Sequence, residues 1–287
     1  MNQLQTLLSH LPDDKIQELS TVTDRIQKTA KAHVVILFGS YARGDYKLER
    51  GQERGKKSDY DLLVITADSD SRRAISLELT KVFDDIATPV QLVVETISTV
   101  NANLSERQFF FSDIRREGIV LHNSGQYTLA EAAVISREQR RKMAEDDFKT
   151  WFKQAKVAFE DYQNNYSKIS NDPVYTLKCS FHLQQAVEMC YTTIEMVFAH
   201  YNPHEHNLYT LRQRAEAFDQ QVDEAFPLNT EQETELFEYL NFAYIGGRYR
   251  SEEEFPVTTT QLDYWATETK KLLDLTEKIC TDKIMSL

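Results

Sequence analysis

The chain of 287 residues predicts an α+β protein, a small sheet-containing unit followed by an all-α helical bundle. Two observations carry this. Short apolar runs, VVILF at 34 to 38, YDLLVI at 60 to 65 and PVQLVVE at 89 to 95, have the length and bounding residues of strands and all lie in the first 125 residues. After Ser136 the pattern changes to long stretches of helix formers, the first of them without Pro or Gly. With 41% apolar and 11% aromatic residues the chain can fill two cores, and two domains are expected, 1–125 and 136–287.

The elements follow in order. From Asp14, apolar residues recur at Ile16, Leu19, Val22 and Ile26, the spacing of an amphipathic helix that leads into VVILF. YDLLVI is the second strand, RRAISLELTKVFDDI at 72 to 86 a helix, and PVQLVVE the third strand. FFFSDIRREG at 109 to 118 reads as a helix, IVLH as a short strand, and NSGQ as a turn. Ser136 is an N-cap candidate for the long helix SREQRRKMAEDDFKTWFKQAKVAFEDYQNN. Three or four further helices follow, separated by NPHEH, the FPLN stretch and GGRYRSEEEFPV, which makes a bundle.

Composition narrows the function. Net charge is −12, and 26 Asp/Glu against 17 Lys/Arg lie after residue 135, a surface that repels phosphate backbones and argues against non-specific nucleic-acid binding. No stretch approaches the roughly 18 apolar residues of a spanning helix. The N-terminus lacks the basic-then-apolar layout of a signal peptide, so a cytoplasmic protein is expected, without a membrane partner. Cys179, Cys190 and Cys280 form no CxxC or Cys/His cluster and read as reduced packing residues.

Chemistry concentrates in GSYARGDYKLERGQERGKKSDYDLLV, residues 39 to 64. Gly39 and Ser40 follow a strand, where a missing side chain lets the backbone approach a phosphate and a hydroxyl can grip its oxygens. Asp59 and Asp61 are two apart, so in a strand both carboxylates leave one face while Leu62 and Val64 point to the other. Paired carboxylates suit a hard divalent cation such as Mg²⁺, which binds one or two carboxylates together with substrate phosphates.

Gly39-Ser40, then Arg43-Gly44, then Ser58-Asp59-Tyr60-Asp61-Leu62-Leu63-Val64 resembles the signature of polymerase β-type minimal nucleotidyltransferases over residues 30 to 100. The resemblance implies a mixed-sheet domain in which Gly39 and Ser40 hold nucleotide phosphates, Arg43 contacts phosphate, and Asp59 and Asp61 hold catalytic Mg²⁺. It implies an NTP, with ATP the first choice, as substrate. Two departures stand out. Eighteen residues separate Ser40 from Asp59, more than is usual in the family, and the excess, Lys47 to Lys57, carries five Lys/Arg and two Glu. The family's third carboxylate belongs on the next strand, where this chain has Gln91. A neutral amide takes up no proton at useful pH, so it leaves the activating base open. Glu95, on the same face, is four residues along an extended chain, roughly 13 Å away.

The second half resembles HEPN helical bundles over about 136 to 281, carried by Phe181-His182-Leu183-Gln184-Gln185-Ala186-Val187-Glu188, His206-Asn207-Leu208 with Leu211, and Ala243-Tyr244-Ile245 with Arg248-Tyr249. This implies a groove for nucleotide or substrate at His182, Gln185, Arg248 and Tyr249, and pairing into a homodimer. Some members are ribonucleases with His four to six residues after Arg. Neither Arg248 nor Arg212 and Arg214 have one, which disfavours ribonuclease activity. The whole chain looks like a bacterial nucleotidyltransferase–HEPN fusion. The expected activity is Mg²⁺-dependent transfer of NMP from an NTP to an acceptor hydroxyl, on a small molecule or a protein, with pyrophosphate release. The alternative is a catalytically weak nucleotide sensor or a toxin–antitoxin-like interaction module.

Overall fold

A computed structural model describes residues 6–46, 58–105, 109–132, 134–202 and 205–287, and the basic segment from Lys47 to Lys57 lies outside them. Contacts divide the chain into two compact units, Met1–Val134 and Ile135–Leu287.

In the first unit, helix α1 (Asp13–Ala30) opens with Asp13 and Asp14 in its first turn, where carboxylates oppose the positive end of the helix dipole. It closes on Lys31 in the left-handed region. Strand β1 (Val34–Phe38) runs into a five-residue helical turn, α2 (Gly39–Arg43). Then come β2 (Tyr60–Thr66), α3 (Arg72–Thr80), β3 (Val90–Thr96), α4 (Ile97–Ser105), α5 (Phe109–Glu117) and β4 (Ile119–Asn123). The sheet order is β3-β2-β1-β4. β1 is antiparallel to β2 and β4, and β2 is parallel to β3, so the sheet is mixed.

Both sheet faces are covered. Val35, Leu37, Tyr60, Leu62 and Val64 share one core with Leu19, Val22 and Ile26 of α1. The alternate residues Ile36, Leu63, Ile65 and Val93 are buried as well, where α4 and α5 pack on β1 to β3.

Two elements differ from the sequence reading. The helix expected over 72 to 86 ends at Thr80 because Arg25 of α1 captures the chain beyond that residue: its Nη1 donates to Val82 O at 2.6 Å, and its guanidinium pairs with Asp85, Nη2 to Oδ2 at 2.8 Å. The hydrogen bonds from Arg25 hold Asp85 at about 2. Helix α4, ISTVNANLS, has no sequence signal stronger than its tertiary one. Its Ser, Thr and Asn are poor helix formers, and burial of Ile97, Val100 and Leu104 along one side makes it a helix.

The second unit is built around α7 (Val174–Ala199), which packs against α6 (Arg137–Tyr166), α8 (Leu208–Phe218), α9 (Glu231–Tyr249) and α10 (Thr259–Ser286). Helices α6, α9 and α10 each begin with a reciprocal capping box: Ser136 with Gln139, Thr230 with Glu233, and Thr258 with Gln261. Cys179, Cys190 and Cys280 are free and buried, and burial pushes the Cys179 and Cys190 thiols up to about 12, so they stay protonated at neutral pH. Among the described residues, no helix is long and apolar enough to cross a membrane.

Helix α9 approaches α7 through Gly247. A Cβ there would lie 2.7 Å from Leu177 O and 2.8 Å from Phe181 Cβ. Backbone oxygen cannot move aside as a flexible side chain can, so Gly247→Ala is expected to destabilise the helical unit by about 2 kcal/mol despite alanine's better helix propensity, read as a lower unfolding midpoint in the transition of that unit.

Candidate functional site

The register of three strands builds the first site. Phe38 of β1 pairs with Asp61 of β2, and Asp61 pairs with Gln91 of β3, so Phe38, Asp61 and Gln91 form one row across the sheet with side chains on a common face. Asp59 stands just before β2, and the pairing continues beside it through Tyr60 N–H donating to Pro89 O at 2.8 Å. Gln91 stands on the neighbouring strand in register with Asp61, about 4.8 Å away along the sheet by strand spacing.

Gly39 receives Asp61. Its φ of 69° lies in the left-handed region, and a Cβ on it would stand 2.1 Å from Asp61 Oδ2. The carboxylate therefore sits against the Gly39 Cα, in space that any other residue would fill. The next residue closes the turn: Ser40 O accepts from Gly44 N at 2.9 Å and from Asp45 N at 3.1 Å. Arg43 is exposed and its Nε lies 3.2 Å from Asp45 Oδ2, a surface pair worth well under 1 kcal/mol by the usual scale. Gly39, Ser40, Asp61 and Gln91 are thus brought to one end of the sheet with Asp59 beside them, and Arg43 is turned toward Asp45. Oxygen donors of this kind, two carboxylates and an amide, fit a hard divalent cation. Glu95 is buried and forms a 2.6 Å ion pair with Arg72, in register with Ile65 rather than with the acid.

His182, Gln185, Arg248 and Tyr249 of the helical unit are joined through residues between them. Arg248 is exposed, and its Cζ lies 5.3 Å from the Phe181 ring, 5.5 Å from Tyr244 and 5.4 Å from Tyr249, a cation held over π faces. His182 packs edge-on to Phe181 at 5.5 Å. Burial holds its pKa below the ordinary value against the pull of Asp161 at 4.0 Å, so it is neutral at pH 7. Gln185 Nε2 donates to Gln184 Oε1 at 2.7 Å and to Glu188 Oε2 at 3.1 Å. Buried Glu188 also accepts from Gln184 Nε2 at 3.0 Å and hydrogen-bonds His206 Nδ1 at 2.9 Å, and the His206 ring stacks on Tyr244 at 4.6 Å.

Glu188 is named in the sequence only within the stretch that carries the resemblance, and its bond to His206 was not read there. Its signal was a glutamate one turn beyond Gln184 on a helix otherwise buried all round. Arg212, weighed above as a ribonuclease arginine, is buried and fully occupied: it bonds Glu216 at 2.6 Å, Asp223 at 2.7 Å and the carbonyls of Ala225 and Phe226. The other omission is Tyr60, whose hydroxyl reaches Glu18 of α1 on the far face of the sheet at 2.8 Å.

The glycine contact has a measurable cost. Among the described residues, Gly44, with φ 83°, has only His10 Cδ2 within 4 Å of a built Cβ, at 3.5 Å. Gly44→Ala should therefore carry the backbone term alone, about 1 kcal/mol. Gly39→Ala adds displacement of the carboxylate and should destabilise the N-terminal unit by about 3 kcal/mol in urea unfolding.

Residues 20–126 match the model of a family described as polymerase beta, nucleotidyltransferase. No curated protein matches the chain. The matched segment contains the Gly39 turn, both acids and Gln91 and ends before the helical unit, so the sheet-bearing unit is similar to a nucleotidyltransferase domain, with a nucleotidyltransferase-type activity in general as its implication.

Proposed function

We propose that the N-terminal unit transfers a nucleoside monophosphate from an NTP, ATP by first choice, to an acceptor hydroxyl. The oxygen of the acceptor forms a bond to the α-phosphorus and gives up its proton to solvent water, the bond from that phosphorus to the β-phosphate bridging oxygen breaks, and pyrophosphate leaves with the electron pair. The single observation that carries this reading is the Asp61 carboxylate seated against the Gly39 Cα, which puts an acid at the turn where phosphate would lie.

Asp59 and Asp61 would hold Mg²⁺, which when bound offsets charge on the phosphates and on the leaving pyrophosphate. Among the described residues no group of three or more His, Cys, Asp or Glu is gathered for a metal, so phosphate oxygens and water would complete its ligands. Gly39 lets the triphosphate approach the backbone, Ser40 offers its hydroxyl, and Arg43 would exchange Asp45 for a phosphate oxygen. Gln91 can orient a bound group by hydrogen bonding but takes no proton from the acceptor. In the helical unit, His182, Gln185, Arg248 and Tyr249 are assigned to a groove for nucleotide or substrate, and the acceptor is a small molecule or a protein side chain. Pairing of two protomers belongs to the same reading.

A second reading, a nucleotide sensor with little turnover, is favoured by one observation: a neutral amide stands in register beside Asp61. The two readings separate by calorimetry with each NTP and Mg²⁺ and a parallel assay of pyrophosphate. A transferase releases pyrophosphate, and Asp59→Asn with Asp61→Asn reduces the rate at least about a hundredfold, the scale of losing charge stabilisation at a transferring group. A sensor binds without release, and Gln91→Asp then creates or raises turnover. Unchanged transfer in the double Asn variant would sink the first reading.

A further inference from the structure

The acids at the start of β2 are flanked on the opposite face by a polar cluster inside an otherwise apolar core. Glu18 Oε2 accepts three hydrogen bonds: from Lys15 Nζ at 2.9 Å, from Tyr60 OH at 2.8 Å and from Thr88 Oγ1 at 2.8 Å. Lys15 Nζ also donates to Thr88 Oγ1 at 2.9 Å. Lys15, Tyr60 and Thr88 are buried, and the Glu18 side chain is 20% exposed. Burial pushes Glu18 up, but the bonds from Lys15, Tyr60 and Thr88 outweigh it and keep the carboxylate ionised at neutral pH.

Each partner comes from a different part of the site. Tyr60 lies between Asp59 and Asp61, Thr88 lies three residues before Gln91, and Lys15 and Glu18 belong to α1. The Tyr60 ring also packs at 4.5 Å on Tyr41, which follows Ser40 in the turn. Because successive side chains of a strand leave opposite faces, fixing the Tyr60 side chain from below fixes the direction in which its two neighbours leave above. Asp59 lies just before the regular ladder of β2, next to the residue this cluster anchors.

We propose that Glu18 is a positioning residue that, through Tyr60 and Thr88, sets the two acids against the third strand for cation binding; this rests on the assignment of Asp59 and Asp61 above. Simple neutralisation of buried Lys15 would need only the Lys15–Glu18 pair. The bonds from Tyr60 and Thr88 to the same oxygen tie the pair to β2 and to the segment that leads into β3, two of the three strands of the row.

The test is Mn²⁺ titration of the full chain by electron paramagnetic resonance, with thermal unfolding in parallel. Tyr60→Phe keeps the buried ring and leaves Glu18 two donors, and Glu18→Gln removes the charge while keeping the shape. Each is expected to weaken Mn²⁺ binding about tenfold, the lower end of effects seen when residues supporting metal ligands are changed. Arg25→Ala, which loosens α1 from the segment after α3 without touching the cluster, serves as a destabilised control and should bind Mn²⁺ like the parent. If Tyr60→Phe folds and binds as tightly as the parent, the positioning role is overturned, whatever becomes of Glu18→Gln. Asp59→Asn with Asp61→Asn reports separately: if that variant binds like the parent, or the parent binds no Mn²⁺, the assignment of the acids falls and the positioning role with it.

Discussion

The candidate site depends on one close approach, that of the Asp61 carboxylate to the Cα of Gly39. Antiparallel pairing of Phe38 with Asp61 carries the acid to the end of β1, and absence of a side chain there lets it settle on the backbone of the turn. Any larger residue at 39 would meet both a steric conflict and a backbone in the left-handed region. Shape at the turn and charge on the strand are therefore one constraint, and the parallel strand bearing Gln91 is docked against it.

The helical unit shows the complementary way of placing polar groups. Along α7, Gln184, Glu188, Tyr191 and Glu195 form a buried row at spacings of four, three and four, on the side met by α8 and the segment before it. Glu188 meets His206, and Glu195, whose pKa burial raises, meets Arg214. A buried carboxylate without such partners would cost several kcal/mol, so α8 and the segment before it must bring His206 and Arg214 to this row. It also brings the His206 ring onto Tyr244, beside the Arg248 cation.

The sequence disclosed what is local and concealed what is distant. VVILF and YDLLVI were legible because β1 and β2 are buried on both faces and read as apolar runs, and PVQLVVE, on the half-buried edge strand β3, by its β-branched residues. Ser136 marked the start of the long helix by residue type alone, and it closes a capping box with Gln139. Gln91 could be placed by counting along its strand. The end of α3 could not, because it is decided by Arg25, nearly sixty residues earlier. Nor could the contacts of Glu18, whose partners Tyr60 and Thr88 come from elements that meet only in the folded sheet. Lys15 and Glu18 did carry a faint mark, since they fall within the apolar rhythm of α1.

The parallel pairing of β2 with β3 has a consequence for how this region comes into being. A parallel neighbour requires a crossover, here the segment bearing α3, so Asp61 and Gln91 become adjacent only after that whole segment has ordered. Loop closure over such a span precedes any reward from the contact, which makes this among the slower steps of folding. A nascent chain that has paired β1 with β2 already holds its acid on the glycine turn, but it lacks the neighbour that distinguishes this row from a bare acid pair. Assembly of the row is thereby tied to completion of the sheet rather than to formation of the turn.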